Sequence, residues 1–407
     1  MVDDESGPSS RDSSELPPEL LVSVLSLLDE IRDIFACAAV SRAWRAGCAA
    51  VRRLGLWPDQ GPYLVHSSAD RDPGTATLHN LSTGRSFHAA LPEPSFRGRY
   101  IVGSSRGWLV TADERSHLHL LNPVTGAQIA LPPPDTMFGV ILSSDPSSGG
   151  DRIVLLMHRP YERLSFARVG DTRWTWINAM ENCSWYRDFF YNDEDSLFYA
   201  VRGNGEIHTV DLRGPSLEVK VVYKVESRIM SYTRYLVQAP WGDLLQVRRQ
   251  YRDPTSNTFD SDYGYESSDQ EEDTSSVDEE SEEEGGDEQE YIPSDEYERD
   301  LTGKLTVSKV DLAEQKVREI KNLQGHALFI GFNSAFIVQT RDYPILVPNC
   351  VYVTDDYKDC IFCHPYSERQ LARVNLEDGS FTDLSESFLV YLHGSRESDR
   401  DFSLLGW

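Results

Sequence analysis

A seven-residue pattern that recurs along the chain limits the possible folds more than any other feature of the sequence. Leu78–Gly84 reads LHNLSTG and Leu120–Gly126 reads LLNPVTG, so that the asparagines and the glycines are each 42 residues apart. Short β-rich runs that end in turns recur at 207–212, 305–312 and 371–379. A period near 40 with several strands per unit is typical of a β-propeller.

The later spacings are irregular. They predict an all-β domain, a propeller with about six irregular blades, and any count from five to seven blades agrees with them. A β-sandwich with long insertions is the alternative fold. Val210–Leu212, Val310–Leu312 and Val374–Leu376 are predicted to be equivalent strand ends. Neither the Gly-Gly doublets of kelch blades nor the Trp-Asp endings of WD repeats recur at this period, so the pattern assigns no binding class.

The first 55 residues have a helical pattern instead. Pro17 and Pro18 suit a helix start, because a proline at the first helical position loses no hydrogen bond. The apolar residues that follow recur at helical spacing and form a wide stripe: Leu20, Leu21, Val24, Leu25 and Leu28. Two shorter stripes follow at 31–38 and 40–44, with Ser41 as a candidate N-cap. Three such short helices need a partner to cover their apolar faces, either another protein or the rest of this chain.

The order of these motifs resembles the F-box, a short helical module that docks on the Skp adaptor of a cullin-type ubiquitin ligase. Ser41 stands where that family usually has a cysteine. The resemblance implies that the Leu-Pro start, the helix leucines and the Val-x-x-x-Trp turn face the adaptor. In this chain those residues are Leu16, Pro17, Leu21, Leu25, Leu28, Val40 and Trp44.

Three further strings, at 103–109, 120–126 and 348–356, resemble a large plant family. Its members join an F-box to a β-rich domain that is catalogued as domain of unknown function 295. The resemblance implies a substrate receptor of an SCF-type ubiquitin ligase that holds an unidentified target protein. Phe402–Trp407 departs from the proline-rich ending that is typical of that family.

The predicted organisation is a disordered start at 1–13, an F-box module at 14–55 and a propeller-like domain at 60–407. An acidic insertion at 255–300 interrupts the last of these. Between Asp260 and Asp300 there are 20 Asp and Glu against a single basic residue, a charge of −19. Removing it from the formal net charge of −27 leaves −8 for the remainder. The charge is therefore mostly local.

Low apolar content and dense like charge predict that 255–300 is disordered. Its flanks, Leu244–Val247 and Leu305–Ser308, are predicted to be the two strands of one hairpin. The insertion is either a tolerated, solvated loop or an acidic segment that attracts a basic partner. In the second case, phosphorylation of the insertion would adjust the attraction. Four serines have an acidic residue three positions later, as acidophilic kinases prefer: Ser268, Ser275, Ser276 and Ser281.

Composition excludes several other classes of protein. The N-terminus is acidic and lacks the apolar run of a signal peptide, and no stretch approaches a membrane span. The six cysteines are few and scattered, which predicts a reducing compartment, cytosol or nucleus. No basic stripe marks a nucleic-acid footprint, so nucleic-acid binding is not expected.

No metal, cofactor or catalytic arrangement is expected. Cys360–His364 matches the c-type haem string, but that attachment requires export of the chain. A zinc site that adds Cys350 would lack a fourth ligand, because strand alternation separates Cys363 from His364. Sequence patterns of nucleophilic and phosphate-transfer enzymes do not occur. The chain is therefore predicted not to be an enzyme; the alternative is a propeller scaffold or enzyme with a helical cap and an acidic loop that binds a basic protein.

Overall fold

The structure is a computed structural model of the 407-residue chain. It describes residues 16–28, 31–54, 62–67, 71–81, 83–134, 139–144, 146, 152–158, 161–178, 185–214, 216–225, 233–250, 304–331, 333–354, 371–384 and 402–405. The predicted disordered start, the acidic insertion with its four serines, and Cys360–His364 lie outside these residues. The chain divides into two compact units, Met1–Asn178 with Asn322–Trp407, and Ala179–Lys321.

Three short helices form the N-terminal module: α1 (Pro18–Leu25), α2 (Ile31–Val40) and α3 (Arg42–Arg53). Pro18 occupies the first turn of α1, and the hydroxyl oxygen of Ser41 accepts a hydrogen bond from Trp44 N at 3.3 Å. Both predicted helix starts are therefore confirmed. The module has its own apolar cluster, centred on Leu25, Ile34, Cys48 and Val51.

Four of the six sheets belong to the first unit, and we call the sheets blades. Blade 1 contains β1 (Tyr63–Ser67), β2 (Thr75–Asn80) and β3 (Ser86–Ala90), with the C-terminal β25 (Phe402–Leu405) paired to β1. Blade 2 contains β4 (Tyr100–Ser105), β5 (Trp108–Ala112), β6 (Leu118–Leu121) and β7 (Gln128–Ala130). Blade 3 contains β8 (Gly139–Leu142), β9 (Ile153–His158), β10 (Arg163–Arg168) and β11 (Thr175–Trp176).

Blade 6 completes this unit with five strands in the order β21-β20-β22-β23-β24. They are β20 (His326–Ile330), β21 (Phe336–Gln339), β22 (Cys350–Thr354), β23 (Leu371–Asn375) and β24 (Phe381–Asp383). The second unit holds blade 4, with β12 (Tyr186–Asn192), β13 (Leu197–Arg202), β14 (Ile207–Asp211) and β15 (Glu218–Tyr223). It also holds blade 5, with β16 (Thr233–Gln238), β17 (Leu244–Gln250), β18 (Lys304–Asp311) and β19 (Lys316–Ile320).

These six sheets are the blades of a β-propeller, so the predicted fold is confirmed and the sandwich alternative is wrong. A sandwich would place the strands in two facing sheets, whereas here the strands form six separate, mostly antiparallel sheets. Apolar clusters lie between neighbouring blades of the first unit, one joining blades 1 and 2 and another joining blades 2 and 3. The end of the chain lacks the proline-rich ending of the family that it resembles, yet Phe402–Leu405 forms a strand that pairs with β1.

The repeated Asn-to-Gly pattern has a local structural cause. Asn80 ends β2, and its side-chain oxygen accepts a hydrogen bond from Thr83 N at 3.2 Å, while its backbone oxygen accepts one from Gly84 N at 2.9 Å. Gly84 has a φ of +68°, which favours glycine. Asn122, Asp211, Asp311 and Asn375 each accept a hydrogen bond in the same kind of turn, before the last strand of a blade. The three predicted strand ends are therefore confirmed.

The flanks of the acidic insertion also pair as predicted. β17 and β18 are antiparallel, in a register that runs from Leu244 opposite Val310 to Gln250 opposite Lys304. The hairpin therefore closes right up to the last described residue on each side of the insertion.

Because this hairpin is fully paired, we expect that deleting 255–300 leaves the propeller folded. Bridging Arg252 to Leu301 with Gly-Asn should raise the free energy of unfolding by at most about 2 kcal/mol, since each halving of a closed loop gains roughly 0.6 kcal/mol. Urea denaturation of the deletion variant measures the change. A Gly-Ser segment of native length is the control and should match the parent. A melting temperature that falls by more than a few degrees on deletion would show that the insertion contributes to the fold.

Candidate docking surface

The apolar side chains of α1 and of the turn that follows it divide into a buried set and an exposed set. Leu20 N and Leu21 N both bond to Pro17 O, at 3.0 and 3.1 Å, so the helix is regular from its first residue. Leu21 and Leu25 are buried at 2% and 0% exposure, on the side that packs against α3. Gly47 of α3 permits this close packing, because a Cβ there would lie 3.0 Å from Leu25 Cδ1.

The other set is apolar and exposed. Leu20 and Val24 of α1, and Leu27 in the turn after it, have exposures of 52%, 43% and 78%, and their spacing of four and three residues places them along one side of the helix axis. We call these three residues the α1 face. Fully burying one such side chain is favourable by about 1.5–3 kcal/mol, so covering the α1 face would be strongly favourable.

The structure divides the seven residues that the F-box resemblance assigns to adaptor contact. Leu21 and Leu25 lie inside the module, and Leu28 and Trp44 are partly buried against its cluster. Leu16, Pro17 and Val40 are exposed. Contact of all seven with an adaptor stays a prediction. The burial of Leu21 and Leu25 gives them a direct part in holding α1 on α3.

Sequence reasoning left out the α1 face as an adaptor contact. Leu20 and Val24 belonged to the predicted apolar stripe, but periodicity does not distinguish the edge of a wide stripe that packs inward from the edge that stays outside. Leu27 follows Val24 by three residues and so lies at the edge of that stripe, although it was not included in it. Its addition widens the apolar stripe, and this width was the available signal of an exposed apolar edge.

Trp44 packs on the core of the module and is also one of the seven predicted adaptor contacts. Its ring packs on the module's apolar cluster, while its indole Nε1 is buried without a hydrogen-bond partner. An unsatisfied buried donor costs stability, about 1–3 kcal/mol. Because its ring packs on the cluster, replacing Trp44 would affect folding of the module as well as any contact that it makes.

The two cysteines of the module are structural. Cys48 Sγ donates to Ile34 O at 3.4 Å and so ties α3 to α2. Burial raises the pKa of both the Cys48 and the Cys37 thiols, and the negative charge of Asp33 raises the pKa of Cys37 further. Both thiols therefore stay protonated near neutral pH, which disfavours metal binding and nucleophilic chemistry there.

The aromatic side chains of β12 mostly pack within blade 4. Tyr186, Phe189 and Phe190 are buried, and the Phe190 ring stacks on Tyr199 with centroids 5.2 Å apart. Trp176 and Trp185 remain 39% exposed. Among the residues that the structure describes, no three His, Cys, Asp or Glu side chains form a group that could hold a metal ion. Within the same residues, each helix is too short or too polar to cross a membrane.

Comparison with known families matches both parts of the chain. Residues 78–375 match the KIB1-4 beta-propeller family, and residues 13–54 match the F-box-like family. The first of these matches extends over well more than half of the chain.

Two Arabidopsis thaliana proteins named as F-box proteins are similar to this chain. At5g55150 is 24% identical over 253 residues, which span 58% of this chain and 66% of that protein. At4g22165 is 26% identical over 293 residues, which span 63% of this chain and 75% of that protein. Among solved structures, TolB from Acinetobacter baumannii is similar with a TM-score of 0.41 and 12% identity, covering 89% of this chain and 73% of TolB.

Proposed function

The chain belongs to the KIB1-4 β-propeller family and carries an F-box-like module, and we propose that it is the substrate receptor of an SCF-type ubiquitin ligase. In this proposal the module docks on a Skp adaptor, and through it on a cullin, while the propeller holds a target protein. The relatives that are named F-box proteins support this assignment. The chain would deliver its target in the cytosol or nucleus and catalyse no reaction itself.

The observation that carries the proposal is the exposed α1 face. Leu20, Val24 and Leu27 leave a continuous apolar strip on a module whose own core is already filled by Leu21 and Leu25. Solvent-exposed leucines in such a row are characteristic of a helix that packs against a partner. Exposed Val40, at the end of α2, and Leu16, just before α1, add apolar surface to the same module.

A receptor of this kind separates its two tasks physically. The apolar cluster of the helical module is built from residues of its own helices and of the turn between them. The blades in turn supply a broad surface of loops and strand ends, on which a protein target is held by shape and charge rather than by reacting groups.

Reconstitution tests the proposal directly. We expect the full chain, co-expressed with a Skp adaptor and a cullin, to elute with both proteins as one complex in size-exclusion chromatography. A chain that lacks residues 16–54 is the control and should elute alone with its propeller folded. Elution of the full chain apart from the adaptor at micromolar concentrations would contradict the proposal and favour a cap that serves only this chain.

A further inference from the structure

One edge of blade 3 carries an exposed tryptophan. Trp176 ends β11 and is 39% exposed. The strand order β11-β10-β9-β8 makes β11 an edge strand of this sheet, and among the strands that the structure describes it pairs with β10 alone. Trp176 lies opposite Ser165 in that pair. Because tryptophan is enriched among the residues that carry most of the binding energy at protein interfaces, this ring is a candidate contact for another protein.

The Trp176 ring is held in place by its neighbours. It packs on the His158 ring, with centroids 4.4 Å apart and planes inclined at 43°. His158 is buried, and a hydrogen bond of 2.6 Å joins its Nε2 to Ser165 Oγ. Trp174 meets the His158 ring edge to face at 6.4 Å, and its own Nε1 donates to Pro132 O at 2.9 Å. Trp176 is therefore preorganised and loses little conformational entropy when a partner covers it.

A positively charged side chain lies against the same ring. The Cζ atom of Arg163 is 5.1 Å from the centre of the Trp176 ring, which is the distance of a cation–π contact. Arg163 is the first residue of β10, and its Nη2 donates a hydrogen bond to Oδ1 of Asn178, an exposed residue two positions after Trp176. The guanidinium therefore extends from β10 toward the free edge of the sheet.

The Arg163 guanidinium has donors left for a ligand. Of the five N–H donors of an arginine side chain, one is bonded to Asn178. In the part of the chain that the structure describes, the Arg163 side chain has no other hydrogen bond and forms no ion pair with an acidic side chain. Carboxylates bind the planar guanidinium fork through two parallel hydrogen bonds. The charge beside Trp176 is therefore complementary to a carboxylate of a partner.

We propose that Trp176 and Arg163 form a docking site for an extended, acidic segment of the target protein. The proposal rests on the propeller's proposed function as the target-binding domain. The segment would lie alongside β11 as an added strand and would hydrogen-bond to the free edge through its backbone. It would present a carboxylate to Arg163 and an aromatic side chain to Trp176.

The register of β10 and β11 determines the spacing of these two side chains in the target. Arg163 and Ser165 are two residues apart on β10, and Trp176 lies opposite Ser165, so that Arg163 and Trp176 are on one face of the sheet. Side chains two positions apart also share a face in an extended segment. The expected recognition pattern is therefore an acidic residue and an aromatic residue separated by one position.

Peptide binding to the purified full chain tests this proposal. The probes are fluorescent peptide pools with random flanks and a fixed Glu-x-Phe, Gln-x-Phe or Glu-x-Ser centre, and the measurement is fluorescence anisotropy. We expect the Glu-x-Phe pool to bind most tightly, with an affinity that falls as salt is added. Trp176→Ala and Arg163→Gln should each weaken its binding by about 10-fold or more. Arg163→Lys should weaken it less, because the charge is kept while the planar fork is lost.

Two variants outside the site are matched controls. Trp185→Ala removes a tryptophan of equal exposure, 39%, next to β12 of blade 4. Arg173→Gln removes an exposed arginine just before β11. Both variants should bind the Glu-x-Phe pool as the parent chain does. If Trp176→Ala does not fold, Arg163→Glu replaces it, and this variant should prefer a Lys-x-Phe pool to the Glu-x-Phe pool.

Three other results would each overturn the proposal. Equal binding of the Gln-x-Phe pool shows that no carboxylate is recognised, and equal binding of the Glu-x-Ser pool shows that the Trp176 ring is not contacted. Parental binding by both Trp176→Ala and Arg163→Gln places peptide binding elsewhere on the chain. Adaptor recovery is measured separately on the same samples. Its failure would contradict the ligase function without changing the peptide result, since the peptides are offered to the chain alone.

Discussion

Replacing Leu20 and Val24 together by glutamate should reduce the affinity of the chain for a Skp adaptor at least 100-fold. If the adaptor covers the α1 face, each side chain contributes about 1.5–3 kcal/mol of apolar burial, and each glutamate adds the cost of desolvating a carboxylate. Because both residues are exposed, at 52% and 43%, their replacement should leave the helices intact. Isothermal titration of the adaptor into the variant measures the effect, and circular dichroism measures the fold.

Two further variants separate docking from folding. Val317→Glu changes an apolar residue of blade 5 that is 42% exposed and should bind the adaptor normally. Leu25→Ala removes a fully buried side chain, so it should lose helical signal together with binding. If the double glutamate variant is helical and binds at parental affinity, the α1 face is not the docking surface, whatever the family of the chain.

The helical module shows what periodicity specifies and what it leaves open. The sequence predicted where α1 and α3 begin, because a proline in the first turn and a serine N-cap act locally. The spacing of apolar residues predicted that the segments are helical. It did not show that Leu21 is buried while Leu20 stays exposed. That difference depends on where α3 packs, which is a tertiary contact without a local signal.

The blades divide in the same way between local and long-range causes. The turns after β2 and β6 could be predicted from the sequence, because Asn80 and Asn122 make hydrogen bonds to residues within five positions of them. The period was lost later, since blade 6 has a fifth strand and pairs β20 in parallel with β22. The insertion before β18 and the closure of blade 1 by β25 further obscure the count of blades.

Replacing Gly331 by alanine should destabilise the propeller by about 4 kcal/mol, the largest effect that we expect from a single methyl group in this chain. Gly331 follows β20 with a φ of +151°, a conformation that side chains of L-residues rarely adopt. An added Cβ would overlap Thr354 Oγ1 and would lie 3.0 Å from Thr354 Cβ. Thr354 is 5% exposed and ends β22, which pairs with β20, so it has little room to move.

Urea denaturation of Gly331→Ala measures this loss, with Gly242→Ala as the control. Gly242 has a φ of +93°, but a Cβ there meets nothing within 4 Å, so it reports backbone strain alone, about 1 kcal/mol. Adding Thr354→Ala to Gly331→Ala removes the overlapping oxygen and should recover part of the stability relative to the sum of the two single changes. Equal losses at Gly331 and Gly242 would show that contact with Thr354 is not limiting, and that β20 and β22 can separate at this end without penalty.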